Sequence, residues 1–515
     1  MALRPGGAPL NIANGVREFA QSTPHALAVI DGDRSITYRQ LADRAARFAN
    51  ALASQGLAQG ARVGVLLGNR LEYCEIAAGL AMGGFVAVPI NPRLTPSEAT
   101  YILEHSGATA IVVDHPLATV SQPWQETKQP VSITIDGTDP GSDYESLLTA
   151  STAIDPRAYV DETDPFCITY TSGTTGNPKG VLISHRSRCL TFTATALEWG
   201  LGPSKRTIAV APMYHGAGFA FGYGAVYVGG TVSMLRAFDA KTLLAMIQAF
   251  RPSSVFLVPT HGQMLRALSD DVVDSFDTTS LETLYFNAAA LPYPLKQWVR
   301  THFPTAGIHE LYGSTEAGIV TNLRPAEPGS QMDKANCVGQ AWFMTELKLL
   351  DDDGRPVAPG TPGELFCRSP FLMNGYLDND EATAACTTTD GFLSSGDVAI
   401  MDEDACVYIV DRKKDLVISG GTNIYPREVE DVLFTHEAIA DVAVIGMPHD
   451  TWGEQVTACI VFKAEQSATP DELDAHCRQT LGGYKIPRAF VVMDALPRNA
   501  TGKVLKRELR LSVTL

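Results

Sequence analysis

The chain has 515 residues, which is more than one hydrophobic core usually organises, so we expect at least two domains. With 45% hydrophobic and 19% charged residues, its composition is that of a globular protein and not of a disordered one. The formal net charge of −17 argues against a nucleic-acid backbone as the main partner, because such binding needs clustered lysine and arginine. An anionic ligand would therefore be held by local donors and individual cations.

The sequence carries no mark of export or of a membrane span. The first twenty residues lack the apolar run of a signal peptide, and no apolar run approaches the ~20 residues that a bilayer span needs. The nine cysteines lie singly, without a C-x-x-C pair, which is typical of reduced thiols. We therefore expect a cytoplasmic protein without a transmembrane segment.

Helix and strand patterns alternate along the first part of the chain. Leu41, Ala45, Phe48 and Leu52 recur at spacings of three and four, which predicts an amphipathic helix over 37–57. A strand over 61–69, a helix to about 82 and a strand over 85–90 are predicted to follow. Further apolar runs that end in a turn or a breaker lie at 108–114, 206–212 and 252–259. This β–α–β alternation predicts parallel strands with helices on the faces of the sheet.

The glycine-rich stretch YTSGTTGNPKG (170–180) follows strand-forming residues, where ligands of parallel α/β sheets bind. Gly173 and Gly176 let backbone N–H groups approach phosphate oxygens, and Lys179 adds a positive charge. Hydroxyl donors are supplied by Thr171, Ser172, Thr174 and Thr175. The stretch is not a Walker-type P-loop, because Pro178 precedes the lysine where that motif has glycine. On its residues alone, it is either a phosphate-binding loop or a flexible surface loop.

A change of composition near residue 411 predicts a second, smaller domain. The charged stretch DRKKD (411–415) precedes strands predicted at 441–447 and 457–463 and a helix predicted at 469–481. We therefore predict a large N-terminal domain over 1–413 and an α+β C-terminal domain over 414–515, joined by a short hinge.

Six stretches together resemble the signature motifs of the adenylate-forming superfamily, which includes acyl-CoA synthetases, peptide-synthetase adenylation domains and luciferases. In chain order they are YTSGTTGNPKG (170–180), PMYHGAG (212–218), LYGSTEAG (311–318), SSGD (394–397), DRKKDLVISGGTNIYPREVE (411–430) and LPRNATGKVLKREL (496–509). The resemblance covers nearly the full chain. It implies an α/β fold in which a large N-terminal domain of βαβ-type sheets is joined to a small mobile α+β domain that carries a catalytic lysine.

The resemblance also implies a role for each motif. Lys503 would neutralise the charge that develops as a carboxylate attacks the α-phosphate of ATP. Thr315 would donate to phosphate, and Glu316 would help to hold Mg²⁺. His215 would lie at the acyl pocket and gate it. The residues implied to bind nucleotide or coenzyme A are Thr171, Ser172, Gly173, Thr174, Thr175, Gly176 and Lys179 at the phosphates, Asn287, Ala288, Ala289, Tyr312 and Gly313 at adenine, Asp397 and Arg412 at ribose, and Gly421 in the thiol tunnel, with Lys414 at the hinge.

The implied reaction has two steps. A carboxylate attacks the α-phosphorus of ATP and releases pyrophosphate, and a thiol then takes the acyl group from the acyl adenylate. Relatives rotate the small domain between the steps, so that Lys503 faces the site first and the loop with Gly421 lines the thiol tunnel afterwards. ATP, Mg²⁺ and coenzyme A are therefore the expected cofactors and co-substrates.

The acceptor and the acid are predicted from three further features of the sequence. No G-x-[DH]-S motif of a carrier domain follows Lys503, so we expect free coenzyme A as the acceptor, with a carrier protein as the alternative. The segments 215–230 and 285–294, which line the acyl pocket in relatives, contain no lysine or arginine. A second carboxylate would lie unpaired there, so the resemblance implies a monocarboxylic, largely apolar acid. Leu311 stands where many relatives for long chains have glycine. We therefore predict a compact aromatic, cyclic or short-to-medium-chain acid, unless Leu311 points into the core.

Three further hypotheses remain. The first is that the protein acts on long-chain fatty acids, the second that it catalyses luciferase-type oxidation, and the third that it is a non-catalytic AMP or acyl-AMP sensor. Ser395, Ala405 and Thr422 depart from the usual threonine, glycine and glutamate, and the latter two leave details of the coenzyme A tunnel open. The sequence does not set the oligomeric state, and a homodimer is left open.

Overall fold

The computed structural model describes residues 9–139, 141–171, 177–326, 334–420, 422–498 and 504–513. The chain forms two compact units. The first comprises Met1–Glu346 and Cys367–Leu393, and the second comprises Leu347–Phe366 and Ser394–Leu515. The boundary predicted between 413 and 414 falls inside the second unit. That the chain becomes mobile from residue 414 onwards stays a prediction.

The strands of the two units are numbered in chain order. They are β1 (Leu27–Asp31), β2 (Arg34–Thr37), β3 (Arg62–Leu66), β4 (Val86–Pro89), β5 (Ala110–Asp114), β6 (Val131–Ile135), β7 (Pro165–Thr171), β8 (Lys179–Ser184), β9 (Arg206–Ala209), β10 (Thr231–Met234), β11 (Ser254–Leu257), β12 (Thr283–Phe286), β13 (Gly307–Ser314), β14 (Gly318–Leu323), β15 (Gln340–Ala341), β16 (Glu346–Leu350), β17 (Gly363–Arg368), β18 (Gly375–Tyr376), β19 (Leu393–Met401), β20 (Val407–Arg412), β21 (Val417–Ser419), β22 (Thr422–Ile424), β23 (Ile439–His449), β24 (Gly453–Phe462) and β25 (Ala489–Val492).

The helices are numbered in the same way. They are α1 (Asn14–Ser22), α2 (Tyr38–Ser54), α3 (Leu71–Gly83), α4 (Pro96–His105), α5 (Ala118–Lys128), α6 (Tyr144–Ala150), α7 (His185–Trp199), α8 (Gly216–Tyr227), α9 (Ala240–Phe250), α10 (Pro259–Arg266), α11 (Asp270–Asp274), α12 (Tyr293–His302), α13 (Asp380–Cys386), α14 (Pro426–Phe434), α15 (Pro470–Arg478) and α16 (Lys506–Ser512). Short 3-10 turns lie at His115–Leu117 and Lys413–Asp415.

The amphipathic helix predicted over 37–57 is α2. Thr37 caps its N-terminus by accepting a hydrogen bond from the Gln40 amide, and the Gln40 side chain bonds back to the Thr37 amide. This reciprocal capping box satisfies two backbone groups that the first turn would otherwise leave unpaired. The apolar face of α2 is buried, as the three-and-four spacing predicts.

Two large sheets form the first unit. The seven-stranded sheet has the order β18-β8-β7-β4-β3-β5-β6, with β7, β4, β3, β5 and β6 running parallel. The nine-stranded sheet has the order β15-β14-β13-β12-β11-β9-β10-β1-β2, and its strands from β13 to β1 are parallel. The predicted β–α–β architecture is therefore confirmed.

The two sheets share a hydrophobic core that α3 and α8 help to fill. Helix α3 is buried on nearly all sides and contacts β1 of one sheet and β4 of the other. Helix α8 is also largely buried and packs on β9, β10 and β11. Helices that are apolar all round are expected at such a position. Within the residues described, no helix is long and apolar enough to cross a bilayer.

The second unit is α+β, as predicted. A four-stranded sheet, β16-β17-β19-β20, lies mostly in this unit, and a five-stranded sheet is built on the long antiparallel pair β23–β24. Helices α14 and α15 pack on each other, and α14 also packs on β23. Ala405 has φ of 58°, in the left-handed region that favours glycine, which is the residue the family pattern has there. All nine cysteines are free thiols, and all except Cys386 are buried.

Candidate active site

The glycine-rich loop leaves the edge of the seven-stranded sheet where its parallel strands end. Strand β7 ends at Thr171, which pairs across the hairpin with Lys179, the first residue of β8. Since β7 runs parallel to β4, the loop starts at the carboxyl edge of the sheet, where ligands of such folds bind. Residues Ser172, Gly173, Thr174, Thr175 and Gly176 lie outside the described residues. The described ends of the loop are therefore a hydroxyl and a cation.

Tyr376 connects the lysine of this loop to the acidic residue of the third motif. The Lys179 Nζ lies 4.9 Å from the centroid of the Tyr376 ring, within range of a cation–π contact. The Tyr376 hydroxyl donates a hydrogen bond of 3.0 Å to Glu316 Oε1. Burial, together with the neighbouring Glu316 carboxylate, raises the pKa of Tyr376, so its hydroxyl stays protonated and able to donate. The structure thus brings Lys179 and Glu316 to one cluster.

Tyr376 is a residue of this cluster that the sequence motifs do not contain. Its partner Glu316 is sixty positions away in the chain, and nothing in the stretch FLMNGYLDND marks the tyrosine as part of a site. The residue is held in place by β18, a two-residue strand that pairs Tyr376 with Val181 of β8. The usable signal would have been an aromatic residue directly after a glycine, which is weak without the pairing.

Thr315 and Glu316 lie in the tight turn between β13 and β14. The two strands are antiparallel, and Ser314 pairs with Gly318 across the turn. Gly313 cannot be another residue without a shift of the backbone, because a Cβ there would lie 2.0 Å from the Gly318 carbonyl oxygen. The backbone carbonyl of Glu316 accepts a 2.8 Å hydrogen bond from the Met373 amide. The turn is therefore fixed on both sides, and Thr315 and Glu316 are half-buried.

Asn287, Ala288 and Ala289 follow the neighbouring parallel strand β12. Strands β12 and β13 pair in parallel up to Phe286 and Glu310, so their carboxyl ends meet at one edge of the nine-stranded sheet. Tyr312 is half-buried at the same end of β13. Ala288 has φ of 74°, which is uncommon for a residue other than glycine and tends to occur at binding sites. The structure therefore brings 287–289 and Tyr312–Gly313 to the same sheet edge.

In the second unit, Asp397 and Arg412 form the predicted pair. They are direct neighbours in the antiparallel pair β19–β20, and Arg412 Nε lies 2.7 Å from Asp397 Oδ1. Asp397 is 3% exposed. Ser395, in place of the usual threonine, keeps the hydroxyl function, since its Oγ accepts from the Asp397 amide and donates to the Leu365 carbonyl. Lys414 lies exposed in the 3-10 turn Lys413–Asp415, while Gly421 and Lys503 lie outside the described residues.

His215 opens onto a cavity in the first unit. It precedes α8, is exposed, and makes no side-chain capping bond. Together with Tyr214 and Gly216 it lines the cavity, so the exposed His215 marks the end that meets solvent. Most of the remaining lining is apolar and includes Val65, Tyr73, Ile76, Ala77, Phe166 and Phe219.

One arginine also lines this cavity. The segments 215–230 and 285–294 lack basic residues, but Arg188 enters the cavity from α7, which those segments do not include. Leu311 is buried in the core and is not among the residues that line the cavity. Its predicted part in closing an acyl pocket stays a prediction.

Comparison with known proteins identifies the family. The model of the AMP-binding enzyme family matches residues 16–377, and that of the AMP-binding enzyme C-terminal domain matches residues 428–503. A feruloyl-CoA synthase from an Amycolatopsis species is 34% identical, over 95% of this chain and 96% of its own length. A 2-succinylbenzoate–CoA ligase from Bacillus licheniformis is 31% identical, over 96% of this chain and 99% of its own.

A solved structure matches nearly the full length of the chain. The o-succinylbenzoate CoA synthetase from Bacillus subtilis, in complex with its acyl-adenylate intermediate, superimposes with a TM-score of 0.86. It is 29% identical, and the match covers 96% of this chain and 98% of that one. The fold expected from the motifs is therefore confirmed.

Proposed function

The chain belongs to the family of AMP-binding enzymes, and from this premise we propose the roles of its site residues and the class of its acid. It is an AMP-forming acid–thiol ligase, which activates a carboxylic acid as acyl-AMP and then transfers the acyl group to coenzyme A. The observation that carries the proposed nucleotide site is the cluster of Lys179, Tyr376 and Glu316 beside the glycine-rich loop.

We assign the triphosphate to this cluster and loop. Lys179 and the hydroxyls of the loop supply charge and donors for phosphate oxygens, and Thr315 donates from the β13–β14 turn. Glu316 would share Mg²⁺ with the phosphates, where the ion offsets their negative charge. One protein carboxylate suits this metal, which is usually bound through one or two carboxylates, phosphates and waters. Within the described residues, no group of three or more His, Cys, Asp or Glu is placed to hold a metal ion.

The nucleoside is assigned to residues at the ends of strands. Asn287, Ala288 and Ala289 border adenine, and the Tyr312 ring covers its face next to Gly313. Asp397 accepts from the ribose hydroxyls, and Arg412 holds the carboxylate in position through its 2.7 Å contact. A buried carboxylate locked by arginine supports this role, because its acceptor geometry is set before the ligand binds.

The chemistry then needs one cation at the reacting carboxylate. A new bond forms between the carboxylate oxygen and the α-phosphorus while the bond to the pyrophosphate oxygen breaks. Lys503 is proposed to balance the charge at this step, and His215 to border the acid. In the second step the thiol sulfur loses its proton to solvent and bonds to the acyl carbon, and AMP leaves with the former carboxylate oxygen. Lys414 is proposed as the hinge and Gly421 as part of the thiol tunnel, with 414–515 as the mobile part.

The experiment measures the two half-reactions separately. The purified chain is given ATP, Mg²⁺ and a panel of compact aromatic, cyclic and short-to-medium-chain acids, with and without coenzyme A. We expect acid-dependent pyrophosphate release without coenzyme A, and thioester only with it. Lys503→Ala should slow pyrophosphate release by ~10²–10³ while affecting thioester formation from preformed acyl adenylate much less.

A matched control separates this role from general damage. Arg507→Ala removes an exposed cation four residues further along and should leave both half-reactions unchanged. Equal losses of both half-reactions in Lys503→Ala would contradict the proposed role of the lysine. Thioester formed only on a carrier protein would contradict coenzyme A as the acceptor.

A further inference from the structure

Helix α7 carries a charged side chain into the cavity at His215. Arg188 is 7% exposed, and its Nε has no hydrogen-bond partner. Over the part of the chain that the structure describes, no carboxylate forms an ion pair with it; the Cys167 thiol lies beside it, and a thiol is a weak acceptor. Arginine keeps its charge at neutral pH. The cavity therefore contains a buried cation without a counter-charge.

Two helix N-termini add positive potential at the same place. Arg188 lies in the first turn of α7, and its Nη2 lies against Gly216, the first residue of the twelve-residue helix α8. A Cβ on Gly216 would stand only 3.1 Å from that nitrogen. The first turn of a helix has backbone N–H groups without intrahelical partners and carries about half a positive charge. An arginine is disfavoured there, whereas an anion or a carbonyl oxygen is favoured.

Burial without a partner is costly for the folded chain. An uncompensated buried charge destabilises a protein, and here burial lowers the pKa of the Arg188 guanidinium from its ordinary value. Such a residue is stabilised when an acceptor from outside the chain completes its hydrogen bonds. Since the cavity opens at His215, the residue proposed to border the acid, the acid itself can deliver that acceptor.

We propose that the acid activated by this enzyme carries a second oxygen acceptor, a carboxylate or a carbonyl, which Arg188 binds in the cavity. This inference rests on the proposed acid-activating function. The distal oxygen of the acid, and not its whole body, enters this narrow cavity, because the aromatic wall is closely packed: the ring centroids of Phe166 and Phe219 lie 5.5 Å apart, and those of Tyr73 and Phe219 lie 6.4 Å apart. Arg188 is thus a specificity-determining residue that the acyl-binding segments by themselves do not contain.

Three matched acids test the assignment. They are 3-phenylpropanoate, 3-(4-acetylphenyl)propanoate and 3-(4-carboxyphenyl)propanoate, which share one body and differ only in the distal group. Acid-dependent AMP formation gives kcat/KM for each. We expect the wild type to prefer at least one oxygen-bearing acid over the parent by about tenfold or more, as a charge-assisted hydrogen bond allows. Preference between the ketone and the carboxylate identifies which acceptor the site takes.

Variants assign the preference to the guanidinium. Arg188→Met should reduce it to near unity, while Arg188→Lys, which keeps the charge, should retain part of the preference for the carboxylate. Arg186→Met is the control, because Arg186 lies on the same helix but is exposed and pairs with Glu162. It should leave the preference unchanged. Equal loss with all three acids in Arg188→Met, or a wild type that prefers the parent acid, would overturn the inference.

A binding measurement separates this inference from the proposed function. Isothermal titration of each acid without ATP reports on the cavity even if no turnover occurs. Tighter binding of an oxygen-bearing acid to the wild type than to Arg188→Met supports the inference, and equal binding overturns it. Absence of acid-dependent AMP formation with every acid tested would instead count against the proposed function.

Discussion

The first unit contains two buried arginines whose surroundings differ completely. Arg70, just before α3, is 2% exposed and contacts Glu72 at 2.7 Å, Asp114 at 2.7 Å and Asp136 at 3.0 Å. Arg188 is 7% exposed and, within the described residues, has no carboxylate partner. Each nitrogen of the Arg70 guanidinium contacts a carboxylate of the chain, whereas Nε of Arg188 has no hydrogen-bond partner.

The paired charge of Arg70 is part of the fold, and the unpaired charge of Arg188 is the one for which we propose a ligand. Burial alone would lower the pKa of Arg70, but its hydrogen bond and charge contact with Glu72 more than offset this and raise it. For Arg188 burial dominates, and the thiol of Cys167 compensates only in part. A paired buried charge is costly to break, whereas an unpaired one can be removed without leaving another charge stranded.

The largest expected effect follows from removing Arg70 and with it three ion pairs. Arg70→Met leaves Glu72, which is 1% exposed, with only the Arg34 side of its ion pairs. We expect the free energy of unfolding at pH 7 to fall by about 3–5 kcal/mol, measured by urea denaturation. The control is Arg251→Met, which breaks an exposed pair with Asp277 and should cost less than about 1 kcal/mol. If Arg70→Met lowered the unfolding free energy no more than Arg251→Met does, the ion pairs of Arg70 would not be part of what stabilises the fold.

Acid titration tests the same cluster through Glu72. Burial would raise the pKa of this carboxyl, but hydrogen bonds from Arg34 and Arg70 lower it to about 2, from an ordinary value of 4.5. Because the folded-state pKa is the lower one, this group stabilises the fold above pH 4.5, and the contribution is lost as the pH falls towards 2.

The shift corresponds to a loss of stability of about 3 kcal/mol across that window. Glu72→Gln should therefore show a flatter loss of unfolding free energy between pH 4.5 and 2, from a lower starting value at pH 7. Glu403→Gln, which alters an exposed glutamate, should keep the slope of the wild type. Wild-type and Glu72→Gln curves with the same slope would show that the carboxyl is not held by the arginines.

The smallest effect is expected at the cluster of Lys179, Tyr376 and Glu316, whose two charged residues do not pair directly with each other. Lys179 and Glu316 both contact the neutral Tyr376, which orients them without neutralising the charge of either. Tyr376→Phe keeps the ring but removes the hydrogen bond to Glu316. We expect kcat/KM for ATP to fall about tenfold, with a higher Mg²⁺ requirement, and little change in KM for the acid. Tyr408→Phe, which alters a tyrosine of the second unit, is the control; unchanged ATP kinetics in Tyr376→Phe would show that this tyrosine has no positioning role.

Much of the fold could be predicted from sequence because its signals are local. The run RVGVL, the apolar helix after it and VAVP give β3, α3 and β4, since each apolar run ends in a turn residue or a breaker. The position of the glycine-rich loop at a carboxyl strand edge follows from the same alternation. The pair Asp397–Arg412 could be predicted only through the resemblance, because a lone Asp after Gly is usually part of a turn.

The remaining features depend on packing between distant segments. In SHRSRCLT, Arg188 reads as one more polar residue near a helix start; it is buried because α7 packs on α8 and brings it against Gly216. Tyr376 meets Glu316 only because the two-residue strand β18 pairs with β8. Leu347–Phe366 belongs to the second unit although the composition changes only near residue 411. No periodic or short-range pattern in the sequence predicts these contacts.

The most direct test of the contrast is the unfolding free energy of Arg188→Met and of the wild type, each with and without the preferred oxygen-bearing acid. We predict that without acid the variant is at least as stable as the wild type, because an unpaired buried cation has been removed. With acid, the wild type should gain stability according to its dissociation constant, and the variant should gain much less. A variant that loses several kcal/mol without acid, as predicted for Arg70→Met, and that is stabilised by the acid as much as the wild type would contradict the account.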